Sequence, residues 1–252
     1  MKGIALISGA SAGIGEAIAT RFARENYSLI ITGRRAERLD TLASKLQSEF
    51  HIEVLPLVFD IRSREETENA LNSIPENWKG IDVLVNNAGL ASGLDKIQEG
   101  DPDDWELMID TNVKGLLYLS RIIIPWMVEN GDGHVINIGS IAGREVYPKG
   151  NIYCATKHAV DAITKGMRLD LLGTGVRVTQ LAPGAVETEF SMVRFKGDEV
   201  RAAKVYQGYD PLRPEDIADV AYYVTTLPKR VNINDILIMP TAQANATTFI
   251  KK

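Results

Sequence analysis

The chain of 252 residues has one cysteine, Cys154, so no internal disulfide can form. Its place beside Tyr153, in an expected helix, marks it as a packing residue rather than a reactive thiol. There is no excess of basic residues. A formal net charge of −5 excludes the positive footprint that nucleic acid or an anionic membrane would demand. No apolar run approaches the ~18 residues that a membrane-spanning helix needs. No charged-then-apolar leader opens the chain, because Lys2 is followed at once by a short apolar run and a glycine loop. The cytoplasm is therefore the expected compartment. Repeats, low-complexity tracts and composition breaks are also missing, and a single domain over residues 1–252 is the economical reading. What is present is ordinary for a globular protein, with 45% hydrophobic and 24% charged residues.

The first apolar run, residues 3–8, ends in Gly9-Ala10-Ser11-Ala12-Gly13-Ile14-Gly15, and residues 16–23 continue with helical spacing. Strand, glycine turn and helix in that order suit a pyrophosphate. The glycines remove side chains, and the helix start offers unpaired N–H groups and a positive dipole end. The spacing is Gly-x-x-x-Gly-x-Gly, so the common Gly-x-Gly-x-x-Gly pattern is not met. A second strand, residues 27–33, ends in Gly33-Arg34-Arg35. An acidic residue there would bind ribose hydroxyls and select NAD, whereas arginine suits a 2′-phosphate and NADP. The bland alternative is that both arginines open a solvated helix.

Further strands are predicted over residues 52–59, 81–85, 134–140, 176–181 and 233–239, with helices between them. Ser63 and Glu66 have the spacing of a capping box. A long helix is expected from Asp101-Pro102 to about residue 130, with Asn112 inside it as an unexplained poor helix former. Residues 185–210 are polar and weakly periodic, the mark of a substrate lid. Alternating strands and helices indicate an α/β fold, a single Rossmann-like, doubly wound parallel sheet of about seven strands with helices on both faces. Ligands bind such folds at the carboxyl edge of the sheet.

Two segments bring chemistry to that edge. The fifth strand delivers Ser140, and the helix after it carries Tyr153 and Lys157 one turn apart on one face. A phenol with an ordinary pKa of about 10 is a poor acid or base near neutrality. An adjacent ammonium favours the phenolate, and a serine hydroxyl can hold a substrate oxygen beside it. Such a Tyr/Lys pair alone is most often a helix-face contact. It gains meaning only in a chain that also builds a hydride-carrier site.

Taken in order, Gly9-x3-Gly13-x-Gly15, Asp60, Asn86-Asn87-Ala88-Gly89, Asn112, Ser140, Tyr153-x3-Lys157 and Pro183-Gly184 resemble the short-chain dehydrogenase/reductase family over nearly the whole chain. The resemblance implies that Tyr153 is the general acid/base, Ser140 positions the substrate oxygen, Lys157 lowers the Tyr153 pKa, and Asn112 holds a relay water. It implies cofactor contacts from Gly9, Ser11, Gly13, Ile14, Gly15, Arg34, Arg35, Asp60, Ile61, Asn86, Ala88, Gly89, Tyr153, Lys157, Pro183, Gly184, Val186 and Thr188. NADP is the expected cofactor, and no metal site is expected. The sequence departs at Ser8, where the family often has threonine, and at Ala12, where some NADP-dependent members carry a basic residue. Residues 143–148, 183–194 and 238–244 are similar to the branch of NADP-dependent serine and 3-hydroxy acid dehydrogenases. The family is usually oligomeric, often a homotetramer packed through the two long helices.

The expected reaction is hydride transfer between NADP and the C3 hydroxyl or carbonyl of L-serine, related 3-hydroxy amino acids or 3-hydroxy acids. Arg144 and Arg194 are the candidate carboxylate ligands. Within the same class, the competing reading is a broad NADPH-dependent reductase of aldehydes, ketones or diketones. From another class, a dinucleotide sensor without turnover could have lost Tyr153, Lys157, Ser140 or Asn112, yet all four stand.

Overall fold

The computed structural model describes residues 2–252. Seven strands form one parallel sheet in the order β3-β2-β1-β4-β5-β6-β7. They are β1 (Gly3–Ser8), β2 (Tyr27–Gly33), β3 (Val54–Val58), β4 (Ile81–Asn86), β5 (Gly133–Ile138), β6 (Val176–Pro183) and β7 (Asp235–Ile238). Strands covered on both faces need apolar side chains in both directions, and β1 shows this. Ala5 and Ile7 join a core with α1 (Gly13–Arg24), α2 (Ala36–Phe50) and α9 (Pro214–Thr225). Ile4 and Leu6 join the opposite core, with α3 (Arg64–Asn72) and α5 (Leu116–Asn130). The strand order reverses between β1 and β4, and ligands bind such folds at that point.

The remaining helices are α4 (Pro102–Ile109), α6 (Asn151–Asp170), α7 (Phe190–Arg194) and α8 (Glu199–Val205). The outermost strands are shorter than the sequence suggests, β3 by three residues and β7 by three. Two local expectations change more substantially. The long helix from Pro102 is interrupted by a π turn over Asp110–Gly115, which contains Asn112. The stretch 185–210 is not irregular throughout, since α7 and α8 lie in it. The capping box at Ser63 is half realised. Ser63 accepts from the Glu66 N–H at 3.2 Å, while the Glu66 carboxylate reaches past it to the Asp60 N–H at 2.9 Å.

Candidate active site

The glycine loop leaves room where side chains would fill it. Gly9 and Gly13 adopt φ of 66° and 57°, in the left-handed region that glycine tolerates. A Cβ on Gly15 would stand 2.3 Å from the Gly9 carbonyl and 2.5 Å from Asn87 Nδ2, so only glycine fits there. Ala12 stands at the N-cap of α1 with no side-chain hydrogen bond to the first turn, so the helix start is left unclaimed. Ser8 binds the loop to the turn after β4, its hydroxyl accepting from the Asn87 and Ala88 N–H groups at 3.0 Å each. A serine does here what a threonine would. These features fit the pyrophosphate of a dinucleotide.

At the end of β2, Arg35 donates to the Ser11 hydroxyl from Nη2 at 3.0 Å, and from Nε at 3.2 Å. Arg34 lies 3.8 Å from Asp60, which is clasped by Arg62. Asp60 is held below the usual carboxylate range, by the Arg62 hydrogen bonds and charge against an opposing burial cost. Arg38, one turn into α2, completes the cluster and was not anticipated from the sequence. Its spacing of three from Arg35 was the available signal, since residues three apart share a helix face. The cluster offers an anion several unburied guanidinium groups, as a 2′-phosphate requires. At Asn86 only the main chain remains for a cofactor contact. Its side chain turns into the sheet and donates to Ser120 and Asn137 at 3.0 and 2.8 Å, so it does not face the cofactor edge.

The catalytic candidates converge at the carboxyl ends of β4, β5 and β6. Asn112 is clamped by its amide, accepting from the Leu90 N–H at 2.8 Å and donating to the Leu90 carbonyl and to Thr156 at 2.8 and 3.0 Å. This explains an asparagine inside a helix, and a π turn of this kind is common at functional sites. Ser140 accepts from the Ala142 N–H at 3.1 Å. Its own proton points toward the Pro183 carbonyl over a long 3.4 Å and is easily redirected. Lys157 is buried and donates to the Ile138 carbonyl at 2.8 Å. Burial pulls its pKa down to about 8. A Cβ on Gly89 would stand 3.3 Å from Asn112 Oδ1 and 3.6 Å from Lys157 Nζ, so the Asn-Asn-Ala-Gly turn opens onto this cluster.

Tyr153 departs from the sequence expectation in one respect. Burial pushes its phenol well above the ordinary value, and Tyr147 adds to the rise. The Ser140 hydroxyl and the Arg194 guanidinium pull it back, while Lys157, turned toward Ile138, is not among the groups acting on it. Arg194 lies at the end of α7, 5.7 Å from the Tyr153 ring centroid and 5.4 Å from that of Tyr147. It donates to the Tyr147 hydroxyl at 2.9 Å and the Gly93 carbonyl at 3.3 Å. Among the described residues no carboxylate pairs with it. Phe190, at the other end of α7, meets the Tyr153 ring edge-on at 5.5 Å. Arg144 follows the short helix that Ser140 caps. It forms an ion pair with Asp235 on β7, so its charge already has a partner, unlike that of Arg194. A narrow cleft is lined by Ser92, Gly93, Asp104, Lys149, Tyr153 and Arg194.

Comparison with known proteins agrees with this geometry. The family model described as short chain dehydrogenase matches residues 3–199. The chain is 49% identical over 244 residues to the NADP-dependent 3-hydroxy acid dehydrogenase YdfG of Salmonella typhi, covering 96% of this chain and 97% of that one. It is 44% identical over 245 residues to sulfoacetaldehyde reductase 2 of Chromohalobacter salexigens, covering 97% and 96%. A solved structure, the closed form of serine dehydrogenase complexed with NADP+, matches with a TM-score of 0.92 and 46% identity over 99% of both chains. The chain belongs to the short-chain dehydrogenases and is an NADP-dependent oxidoreductase of that family.

Proposed function

We propose that the chain oxidises L-serine, related 3-hydroxy amino acids and 3-hydroxy acids at C3, and reduces the corresponding carbonyls. The observation that carries this reading is Arg194, a guanidinium laid over the Tyr153 ring with no acidic partner among the described residues. Arg194 is half-buried with no counter-charge among the described residues, and a substrate carboxylate would give it two parallel charge-assisted bonds. Two relatives bear names for substrates with an anionic group near the reacting carbon, a carboxylate in one and a sulfonate in the other.

Bound NADP would supply or take up the hydride, and the rest falls to the chain's own residues. Arg35 and Arg38, with Arg34 nearby, hold the 2′-phosphate. Ser140 turns its hydroxyl from Pro183 to the substrate oxygen and fixes it beside Tyr153. In oxidation the Tyr153 phenolate accepts the hydroxyl proton as C3 gives up hydride; in reduction the neutral phenol returns a proton to the carbonyl oxygen. A phenol raised by burial is fully protonated at neutral pH, which suits reduction, so the oxidation rate should climb with pH. The Asn112 side chain is committed at both ends, so a water relay at that position has to use its main-chain carbonyl.

The reading extends to a homotetramer in the cytoplasm. Leu117 and Val128 on α5 and Leu169 on α6 remain exposed, as an interface between long helices would require. A panel of 3-hydroxy acids and neutral ketones, followed at the nicotinamide absorbance with NADP(H), tests the substrate class. Turnover of simple ketones above every 3-hydroxy acid would instead favour a general carbonyl reductase.

A further inference from the structure

The arginine cluster at the end of β2 is already occupied by a residue of the lid. Arg35 donates to one Glu189 carboxylate oxygen at 3.1 Å, and Arg38 donates to both oxygens at 2.9 and 2.8 Å. The three side chains keep 44%, 49% and 49% of their surface exposed, so the contact is not one that holds the fold together. Thr188, the preceding residue, lies against the glycine loop, within 3.2 Å of where a Cβ on Gly13 would stand. The root of the lid thus sits over both the pyrophosphate cradle and the arginines. Its middle is held separately, by Arg194 with Gly93 and by Lys196 with Asp104 at 2.9 Å.

We propose that Glu189 is a specificity-determining residue that competes internally with the 2′-phosphate of NADP for Arg35 and Arg38. This rests on the reading that those arginines bind the 2′-phosphate. A carboxylate and a phosphate monoester carrying nearly two negative charges cannot share the same two guanidinium forks without strong like-charge repulsion. The phosphate therefore displaces Glu189, while NAD, lacking that group, leaves the pair in place. Glu189 weakens NADP binding selectively and gives the arginines a partner as the cofactor departs, which favours release. It also ties occupancy of the 2′-phosphate subsite to the residue that caps α7 within the lid.

Calorimetric titration of the parent and Glu189→Gln with adenosine 2′,5′-bisphosphate, ADP, NADP+ and NAD+ tests this. The two 2′-phosphate ligands should bind the variant about 3–10-fold tighter, with the gain shrinking at high salt as a surface charge effect must. ADP and NAD+ should change less than twofold, and they serve as the control for an intact site. Unchanged or weaker binding of the 2′-phosphate ligands to the variant would overturn the role of Glu189. If the parent still prefers the bisphosphate to ADP in that event, the assignment of the arginines stands alone. A parent with no such preference overturns both.

Discussion

Lys157 is buried with a single partner, a main-chain carbonyl 2.8 Å away, while Arg35 at the end of β2 keeps 44% of its side chain exposed among several partners. In the first place desolvation dominates. Burial alone draws the lysine down to about 8 and is the leading cause of the rise at Tyr153. At the rim, solvent screens each pair and no single contact is worth much, so selectivity comes from how many charges converge. The floor should therefore govern rate and protonation, and the rim should govern which molecules are held.

The sharpest way to break that division is at the floor. Tyr153→Phe keeps the ring against Phe190 but removes the proton donor, and turnover should fall by about 10²–10⁴-fold with NADP binding little changed. Steady-state rates together with cofactor titration check this; near-parental turnover would remove Tyr153 from the chemistry. At the rim, Arg38→Met should cost about 3–10-fold in NADP affinity, a screened surface pairing being worth little more, and leave NAD affinity near the parent value. Equal losses for both cofactors would show that Arg38 supports the fold instead.

A third effect separates floor from rim by stability. A depression of Lys157 from 10.5 to about 8 corresponds to on the order of 3 kcal/mol held against folding at neutral pH. Below about pH 8 both folded and unfolded chains carry the proton, and the folded state bears the whole penalty. Between about 8 and 10.5 the unfolded chain binds more protons, so stability rises with pH. Lys157→Met removes the penalty but leaves the Ile138 carbonyl without its partner, for a net gain of about 1–2 kcal/mol at pH 7. That gain should fade by pH 9.5–10 in chemical denaturation. A loss of stability at pH 7 would contradict it.

Positions that follow from local spacing were legible in the sequence. The glycine loop, the strand ends and the Tyr153/Lys157 face need only the periodicities of strand and helix, and the sheet follows from their alternation. What was not legible depends on partners far away in the chain. Arg144 is spent on Asp235, 91 positions later, and Glu189 meets Arg38 across 151 positions. The π turn at Asn112 needs the clamp to Leu90 and Thr156, and nothing within the helix announces it. The direction of the Tyr153 shift escaped for a similar reason. Helical spacing puts a lysine nearby, but only the packed structure shows that its ammonium turns to Ile138 while burial acts on the phenol.

The substrate assignment stands on Arg194, and one comparison tests it most directly. The kcat/KM for L-serine and for its methyl ester should be measured in the parent and in Arg194→Met, a change that keeps the packing over Tyr153. The parent should prefer the acid by about 10–100-fold, as two charge-assisted bonds imply. The variant should lose that preference, chiefly through a higher KM for the acid. An acid preference of the same size in both proteins, or none in the parent, would contradict the account.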